Sequence, residues 1–330
     1  MGSGVKAVYC RDTTRPVTRK HSSLREFVDY MVENWTLLLL ALPGVILIFL
    51  LRYIPMFGIV VAFQDFQAKK GFLSPWVGLR NFQLLWTAPV VGRIVRNTIM
   101  LNVIFIVSGT FFSVLVAILL NEIHCTLFRR LCQSIMFLPY FMGWTVVAMI
   151  LYGLIDYQIG TINVMLAKFG RERIVFANDP APWPWILMIL RIWKGTGSGS
   201  IIYLAVLAGI DPQLYEAAAI DGASRLQRVW YISMPMLVPT IILLTLLAIG
   251  GIFYGDFGMI YAVVGPRAVL YPTTDVIDTY IIRALQSTLN FGMSTAVGLS
   301  QSILGFICVF GSNWLAKKYS ERRGEDYSLF

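Results

Sequence analysis

The sequence predicts an all-α membrane protein with six transmembrane helices and both termini in the cytosol. Three observations carry this. Of the 330 residues 57% are hydrophobic and 14% charged, whereas a soluble domain carries roughly 25% charged residues. Six stretches are apolar over the ~20 residues a helix needs to cross a bilayer: about 35–54, 97–120, 133–155, 183–209, 236–257 and 294–316. Basic residues crowd the two tails: Lys6, Arg11, Arg15, Arg19, Lys20 and Arg25 at one end, Lys317, Lys318, Arg322 and Arg323 at the other. An even number of crossings puts both tails on one side, and the positive-inside rule makes that side the cytosol.

The same distribution explains the net charge of +9. A soluble chain so basic would suggest a nucleic-acid partner. Here the charge sits in tails and loops of a chain with mean hydropathy +0.69, so its partner is the lipid bilayer and nucleic acid is excluded. The four cysteines, Cys10, Cys125, Cys132 and Cys308, form no C-x-x-C pair. They read as reduced thiols rather than a disulfide framework.

Taken in order, residues 1–34 form a cytosolic tail. They are mostly polar and no small-x-small site follows the first apolar run, so that run reads as a retained anchor. Within the tail Leu24, Phe27, Val28, Met31 and Trp35 recur at helical spacing, and Ser23 with Glu26 has the form of a capping box. This is either a helix lying in the cytosolic interface or an extension of the first crossing. Residues 35–96 comprise the first crossing and an extracytoplasmic segment. Its Phe63, Phe66, Trp76, Phe82 and Trp86 make it too aromatic for a floppy linker. It should fold against the membrane or a partner. Residues 97–316 form the core, and 317–330 the second tail.

Inside the core, Gly195 with Gly199 and Gly251 with Gly255 form two G-x-x-x-G pairs, which let helices approach closely in lipid. Gly195, Gly197 and Gly199 also permit a kink. Gly250, Gly251 and Gly255 interrupt the fifth crossing and blur its end.

The most informative segment is polar and lies between the fourth and fifth crossings, DPQLYEAAAIDGASRLQRVWYISMP at 211–235. Asp211 suits an N-cap and Pro212 the first helical position. Gly222 can supply a left-handed turn that ends the helix, and Ser224 can cap a second helix leading through Pro235 back into the membrane. The segment predicts a short helix-turn-helix, an elbow, on the cytosolic surface.

This elbow resembles the loop of binding-protein-dependent ABC importers of the maltose-permease type, whose pattern is E-A-A-x3-G-x9-I-x-L-P. Glu216, Ala217, Ala218, Gly222, Ile232 and Pro235 stand at that spacing, with Asp221 just before the glycine and Met234 in place of the leucine. The resemblance implies the transmembrane domain of a type I ABC importer. The first elbow helix would be a coupling helix seated in a groove of a separate ATPase. Ala217 and Ala218 would allow close approach, and Glu216 would contact the ATPase or a basic residue of its own loop, unless it merely caps and solubilises. The stretches LLLALPGVILIFLLRYIPMFGIVVAFQDF and WVGLRNF, Asn97–Thr98, and WKGTGSGSIIYLAVLAGI resemble oligosaccharide permeases of the same superfamily, with alginate-type importers among them. The resemblance implies a carbohydrate cargo, an oligosaccharide. It also implies a second, similar permease as heterodimer partner, two copies of an ABC ATPase, an extracytoplasmic solute-binding protein, and a bacterial plasma (inner) membrane location.

The remaining signals are mostly exclusions. GTGSGS at 195–200 lacks the Lys-Ser/Thr of a P-loop, so ATP and Mg would be bound by the ATPase and this chain carries no cofactor or metal. No H-E-x-x-H or G-x-S-x-G occurs, and His21 and His124 lie in polar segments, so no catalytic residues are assigned. Charges inside crossings cost about 2.5–3.5 kcal/mol each on insertion scales. Arg191 and Lys194, three residues apart in the fourth crossing, and Asp256 near the end of the fifth are therefore candidates to line the cargo path. Trp193 and Tyr254 would be stacking surfaces for sugar. The plainer alternative is a structural Asp–Arg or Asp–Lys pair with snorkelling. Against the importer stand an ATP-independent secondary transporter or channel, which leaves 211–235 without a purpose, an intramembrane enzyme, and a structural scaffold.

Overall fold

The computed structural model describes residues 34–87 and 89–323 and is helical almost throughout; the described residues contain no strand, only an isolated bridge between Gln64 and Trp76. The tail helix expected around residues 23–35 falls almost wholly outside the described residues. The chain divides into two compact units, Met1–Gly58 and Ile59–Phe330. In the described part of the first, helix α1 (Trp35–Ile48) continues as a widened π-type turn over Phe49–Tyr53, and α1 buries none of its residues.

In the second unit, the aromatic segment packs on itself. Phe63 stacks on Trp76 at 5.6 Å between ring centroids and touches Phe82 at 5.4 Å. Asn81, at the start of α2 (Arg80–Thr87), donates from Nδ2 to the Ala62 and Gln64 carbonyls at 2.9 and 3.0 Å.

The frame of the core is α3 (Val91–Asn121) packed along α7 (Trp183–Ala208). Between them in sequence come α4 (Thr126–Phe137), α5 (Trp144–Ile155) and α6 (Thr161–Lys168). After α7 follow α8 (Pro212–Ile220), α9 (Arg225–Arg228), α10 (Met234–Gly250), α11 (Phe257–Val263), α12 (Tyr271–Thr274), α13 (Ile277–Thr288) and α14 (Phe291–Arg323). One cluster joins Leu101 and Phe105 of α3, Leu151 of α5, Trp183 and Leu187 of α7 and Met259 of α11. A second joins Val114, Ala117, Tyr203, Leu207, Ile210 and Leu237. Complete burial of a Leu side chain stabilises by about 1.5–3 kcal/mol relative to exposure in water. Within lipid, close contact replaces that driving force.

Polar residues of α3 fix the ends of the neighbouring helices. Asn102 donates from Nδ2 to the Ile252 and Tyr254 carbonyls, each at 3.0 Å. Asn97 donates to the Pro272 and Asp275 carbonyls at 3.1 and 3.2 Å, and the Ile277 N–H donates to Thr98 Oγ1 at 3.0 Å. These are backbone groups left open where helices stop, and leaving one buried and unpaired costs about 1–3 kcal/mol. Arg283 clamps Asp275 with both guanidinium nitrogens, at 2.7 and 3.1 Å, and lies 4.2 Å over the Tyr271 ring.

Four helical runs are long and apolar enough to cross a membrane: Trp35–Phe63, Val91–Asn121, Arg225–Gly250 and Phe291–Trp314. The expected third crossing, 133–155, is not a straight helix. Thr126–Phe141 and Trp144–Ile155 meet at 99° and make a fifth crossing only if counted as one broken span. Pro139 and the extended backbone at Met142 and Gly143 stop the first helix before the second starts. The fourth expected crossing is α7, 26 residues long. Its length suffices, but Arg191 and Lys194 lower its apolar character. The fifth begins inside the elbow, at Arg225 rather than about 236, and its helix ends at Gly250.

The glycine pattern also differs in detail from the expectation. α7 runs unbroken through Gly195, Gly197 and Gly199. A Cβ at Gly195 would meet nothing, whereas one at Gly197 would overlap the Met136 carbonyl of α4, and one at Gly199 the Ser113 hydroxyl of α3. The tight crossing is therefore centred on Gly197. In the second pair, Gly255 packs under Val276, while Gly251 faces only its own helix.

Candidate functional site

The elbow has the expected local construction. Asp211 Oδ1 accepts the Gln213 N–H at 2.9 Å and starts α8 with Pro212 in its first turn. At the other end Ala223 N–H donates to the Ala218 carbonyl at 2.9 Å and Gly222 N–H to the Ala219 carbonyl at 3.1 Å. This 6→1 and 5→2 pair is the Schellman closure. It requires a left-handed residue at Gly222, whose φ is +82°. Ser224 and Gln227 then form a reciprocal capping box: the Ser224 N–H donates to Gln227 Oε1 at 2.7 Å, and the Gln227 N–H to Ser224 Oγ at 3.4 Å.

The second arm does not stop at the membrane. Helix continues from Arg225 to Gly250, widened to a π-type turn over Val229–Ser233. Pro235 has no N–H to donate one turn back, and a widened turn is how a helix absorbs that loss. A force on the elbow therefore acts directly on a membrane helix.

The two arms are locked together by Tyr215, whose hydroxyl lies 2.9 Å from Ser233 Oγ. Tyr215 and Ile232 pack against the cluster of Val114, Tyr203, Leu207 and Leu237. The motif residues thus divide by task. Gly222, Ile232 and Pro235 shape the elbow, while Glu216, Ala217 and Asp221 are exposed on it and Ala218 is half-buried. Glu216 forms no ion pair within the chain among the described residues, so the expected contact with a basic residue of its own loop is absent. It borders a cleft of about 480 Å³ shared with Glu122, His124 and Arg228. Sequence reading missed the apolar side of the elbow: Leu214, Ile220 and Leu226 are exposed, Ile220 by 87%. The signal was there, since apolar residues on a loop too polar to enter lipid want a protein partner.

The charged candidates divide as well. Arg191 Nη1 lies 2.8 Å from Asp256 Oδ2, and the guanidinium sits 5.0 Å over the Phe105 ring. Asp256 also accepts the Met259 N–H at 3.0 Å and so caps α11. This is the structural Asp–Arg pair. Lys194, on the same side of α7, donates to the Tyr140 carbonyl at 2.8 Å and lies 5.2 Å from both the Tyr140 and Trp144 rings. Trp193 is about 200° around the helix from Arg191 at 100° per residue and is not drawn into this group. The Tyr254 hydroxyl is taken up by Ser302 Oγ at 2.9 Å. Among the described residues, no group of three or more His, Cys, Asp or Glu could hold a metal.

Residues 109–321 match the family described as binding-protein-dependent transport system inner membrane component. The chain belongs to this family. It is 36% identical over 303 residues, 92% of this chain and 94% of the relative, to the polygalacturonan/rhamnogalacturonan transport system permease protein YteP of Bacillus subtilis. It is also 36% identical to the Protein LplB of the same organism over 88% of this chain and 90% of that one. A solved bacterial ABC transporter involved in the import of the acidic polysaccharide alginate superposes with a TM-score of 0.80 at 30% identity, covering 88% of this chain and 98% of that chain. A related crystal structure of the alginate transporter, in complex with a periplasmic protein bound to an alginate pentasaccharide, superposes with a TM-score of 0.79. The chain is a multi-pass, non-catalytic permease component of an ABC transporter with the type I permease fold.

Proposed function

We propose that this chain is the membrane subunit of an ATP-driven importer in a bacterial inner membrane, carrying a carbohydrate, an oligosaccharide, delivered by an extracytoplasmic binding protein. The observation that carries the reading is the elbow. It is a rigid, preformed knuckle with exposed Glu216, Ala217 and Ile220, and its second arm is one helix with a membrane crossing. Such a part has a use only if something outside the chain pushes it. The names of the relatives support the carbohydrate cargo and the binding protein.

In this reading α7 and the broken pair α4–α5 complete six crossings, with both tails and the elbow in the cytosol. The elbow of one chain engages one ATPase, which holds the ATP and Mg, so the full assembly has two ATPase copies and a second, similar permease. Closure of the ATPases on ATP drags the two elbows and with them the helices Arg225–Gly250, shifting the cavity between outward- and inward-facing populations. Lys194 faces the cargo path, while Arg191 and Asp256 pair with each other and hold α7 to the start of α11.

The test is purification of the tagged chain from native membranes. The reading expects an ABC ATPase to copurify and the reconstituted complex to raise its ATP hydrolysis when the loaded binding protein is added. Sugar uptake that proceeds without ATP would replace the importer with a secondary transporter.

A further inference from the structure

The second arm of the elbow and the cytosolic end of α3 enclose a groove of about 640 Å³. Its floor is Val114 and Ile118 of α3 with Met234 and Ile241 of α10. Its rims are apolar stripes at helical spacing, Phe111, Leu115 and Leu119 on one side and Leu226 and Trp230 on the other, all exposed. The groove follows α3 from Thr110 to Glu122, about 18 Å at 1.5 Å per residue. One leaflet of hydrocarbon is about 15 Å deep, half of the bilayer core. The groove therefore has the depth of the cytosolic leaflet. Trp230 on its rim is the kind of ring that gathers at headgroup level.

The lining holds two charges, and both stand at the same end. Glu122 follows the last residue of α3, and Arg225 opens α9. α3 reaches the cytosol where the second arm leaves it, so the two charges share the cytosolic mouth. Neither makes an ion pair among the described residues. The other basic groups beside Glu122 are His124 and Arg228, which border the neighbouring cleft with Glu216. A carboxylate and a guanidinium that share a mouth without closing on each other suit a ligand that carries both charges.

We propose that the groove binds a phosphatidylethanolamine molecule of the cytosolic leaflet, with its phosphate on Arg225, its ammonium on Glu122 and an acyl chain along Phe111, Leu115 and Leu119. The guanidinium fork matches a phosphate, and an ammonium, which has donors only, needs an acceptor such as the carboxylate. Phosphatidylglycerol would meet Arg225 but set an anion against Glu122. A protein helix fits less well. Residues 34–51, most of the first crossing, carry no charged side chain and would answer neither group. The bound lipid braces the arm that the elbow drives. The proposal takes from the importer reading only that the elbow lies on the cytosolic side.

The test uses the whole complex purified from native membranes and reconstituted in nanodiscs of equal parts phosphatidylethanolamine and phosphatidylglycerol. Native mass spectrometry counts the lipids that the released complex keeps. Wild type should prefer phosphatidylethanolamine by about tenfold, in line with one charged hydrogen bond. Glu122→Gln should abolish the preference, and Arg225→Gln should lower retention of both lipids. No preference in wild type, or an unchanged preference in Glu122→Gln, overturns the proposal. A second measurement does not depend on the variants assembling. In the wild-type complex, phosphatidylethanolamine with a photoreactive acyl chain should label the stretch from Phe111 to Leu119, and excess unlabelled phosphatidylethanolamine should suppress that label more than phosphatidylglycerol does. Labelling only elsewhere, or equal suppression by both lipids, overturns the site. A photoreactive amino acid in place of Leu119 that captures the first crossing or a second permease instead of lipid overturns it too and gives the groove to protein. A complex that keeps the lipid but shows no stimulated ATP hydrolysis sinks the importer reading and leaves the lipid site standing.

Discussion

Replacing Gly222 by alanine isolates the conformation of the elbow from its chemistry. A Cβ at this position would meet nothing within 4 Å, so the substitution adds no clash. What it does is place an L side chain on a backbone with φ of +82°, which costs about 1–2 kcal/mol. A cost of that size is a factor of roughly 5–30 in a two-state population. The Schellman closure to Ala218 and Ala219 is what the left-handed residue holds, so the fraction of chains with a correctly turned elbow falls by up to that factor. If only that elbow engages the ATPase, the apparent affinity falls in proportion. The assay is a titration of detergent-solubilised permease with the ATPase subunit, reading hydrolysis stimulated by the loaded binding protein. Gly222→Ala should shift the midpoint several-fold to higher ATPase concentration. Gly222→Asn should recover most of the loss, because asparagine tolerates the left-handed region. Ala behaving as wild type, or Asn behaving no better than Ala, would refute the claim that the turn positions the coupling surface.

Glu216→Lys reverses a charge that is exposed and has no ion-pair partner among the described residues. It should lower stimulated hydrolysis while membrane insertion and thermal stability stay unchanged; an equal loss of stability would return Glu216 to a structural role. Gly197→Ala should destabilise the chain by about 1–3 kcal/mol, because its methyl overlaps backbone of α4 rather than a flexible side chain. Gly195→Ala, two residues away with open space around it, should be neutral or slightly stabilising through helix propensity. A thermal-shift comparison of the two in lipid nanodiscs reads the difference, and the same shift in both would contradict the packing.

The elbow could be read residue by residue because its construction is local. An N-cap, a left-handed glycine and a capping box act within four positions along the chain, so spacing alone displays them. The crossings were legible as apolar runs but not in their shape. The hydropathy of 133–155 averages over the break that Pro139 and Gly143 make, and the fifth helix starts in a segment too polar to look like a crossing. The Arg191–Asp256 pair joins residues 65 apart; nothing local couples them, and the sequence could offer only both readings of the same charges. Choosing Gly197 over Gly195 and Gly199 needs the rotational phase of α7 against α4, which belongs to packing. The carbonyl-gripping role of Asn97 and Asn102 was hidden for the same reason. Their acceptors are the unfinished ends of helices more than a hundred residues away.

Photo-crosslinking from Ala217 in native membranes tests the central claim most directly. A photoreactive amino acid placed there should capture an ABC ATPase subunit, and the yield should change when ATP is added. Capture of an extracytoplasmic protein instead, or of no ATPase under any nucleotide condition, would contradict the account.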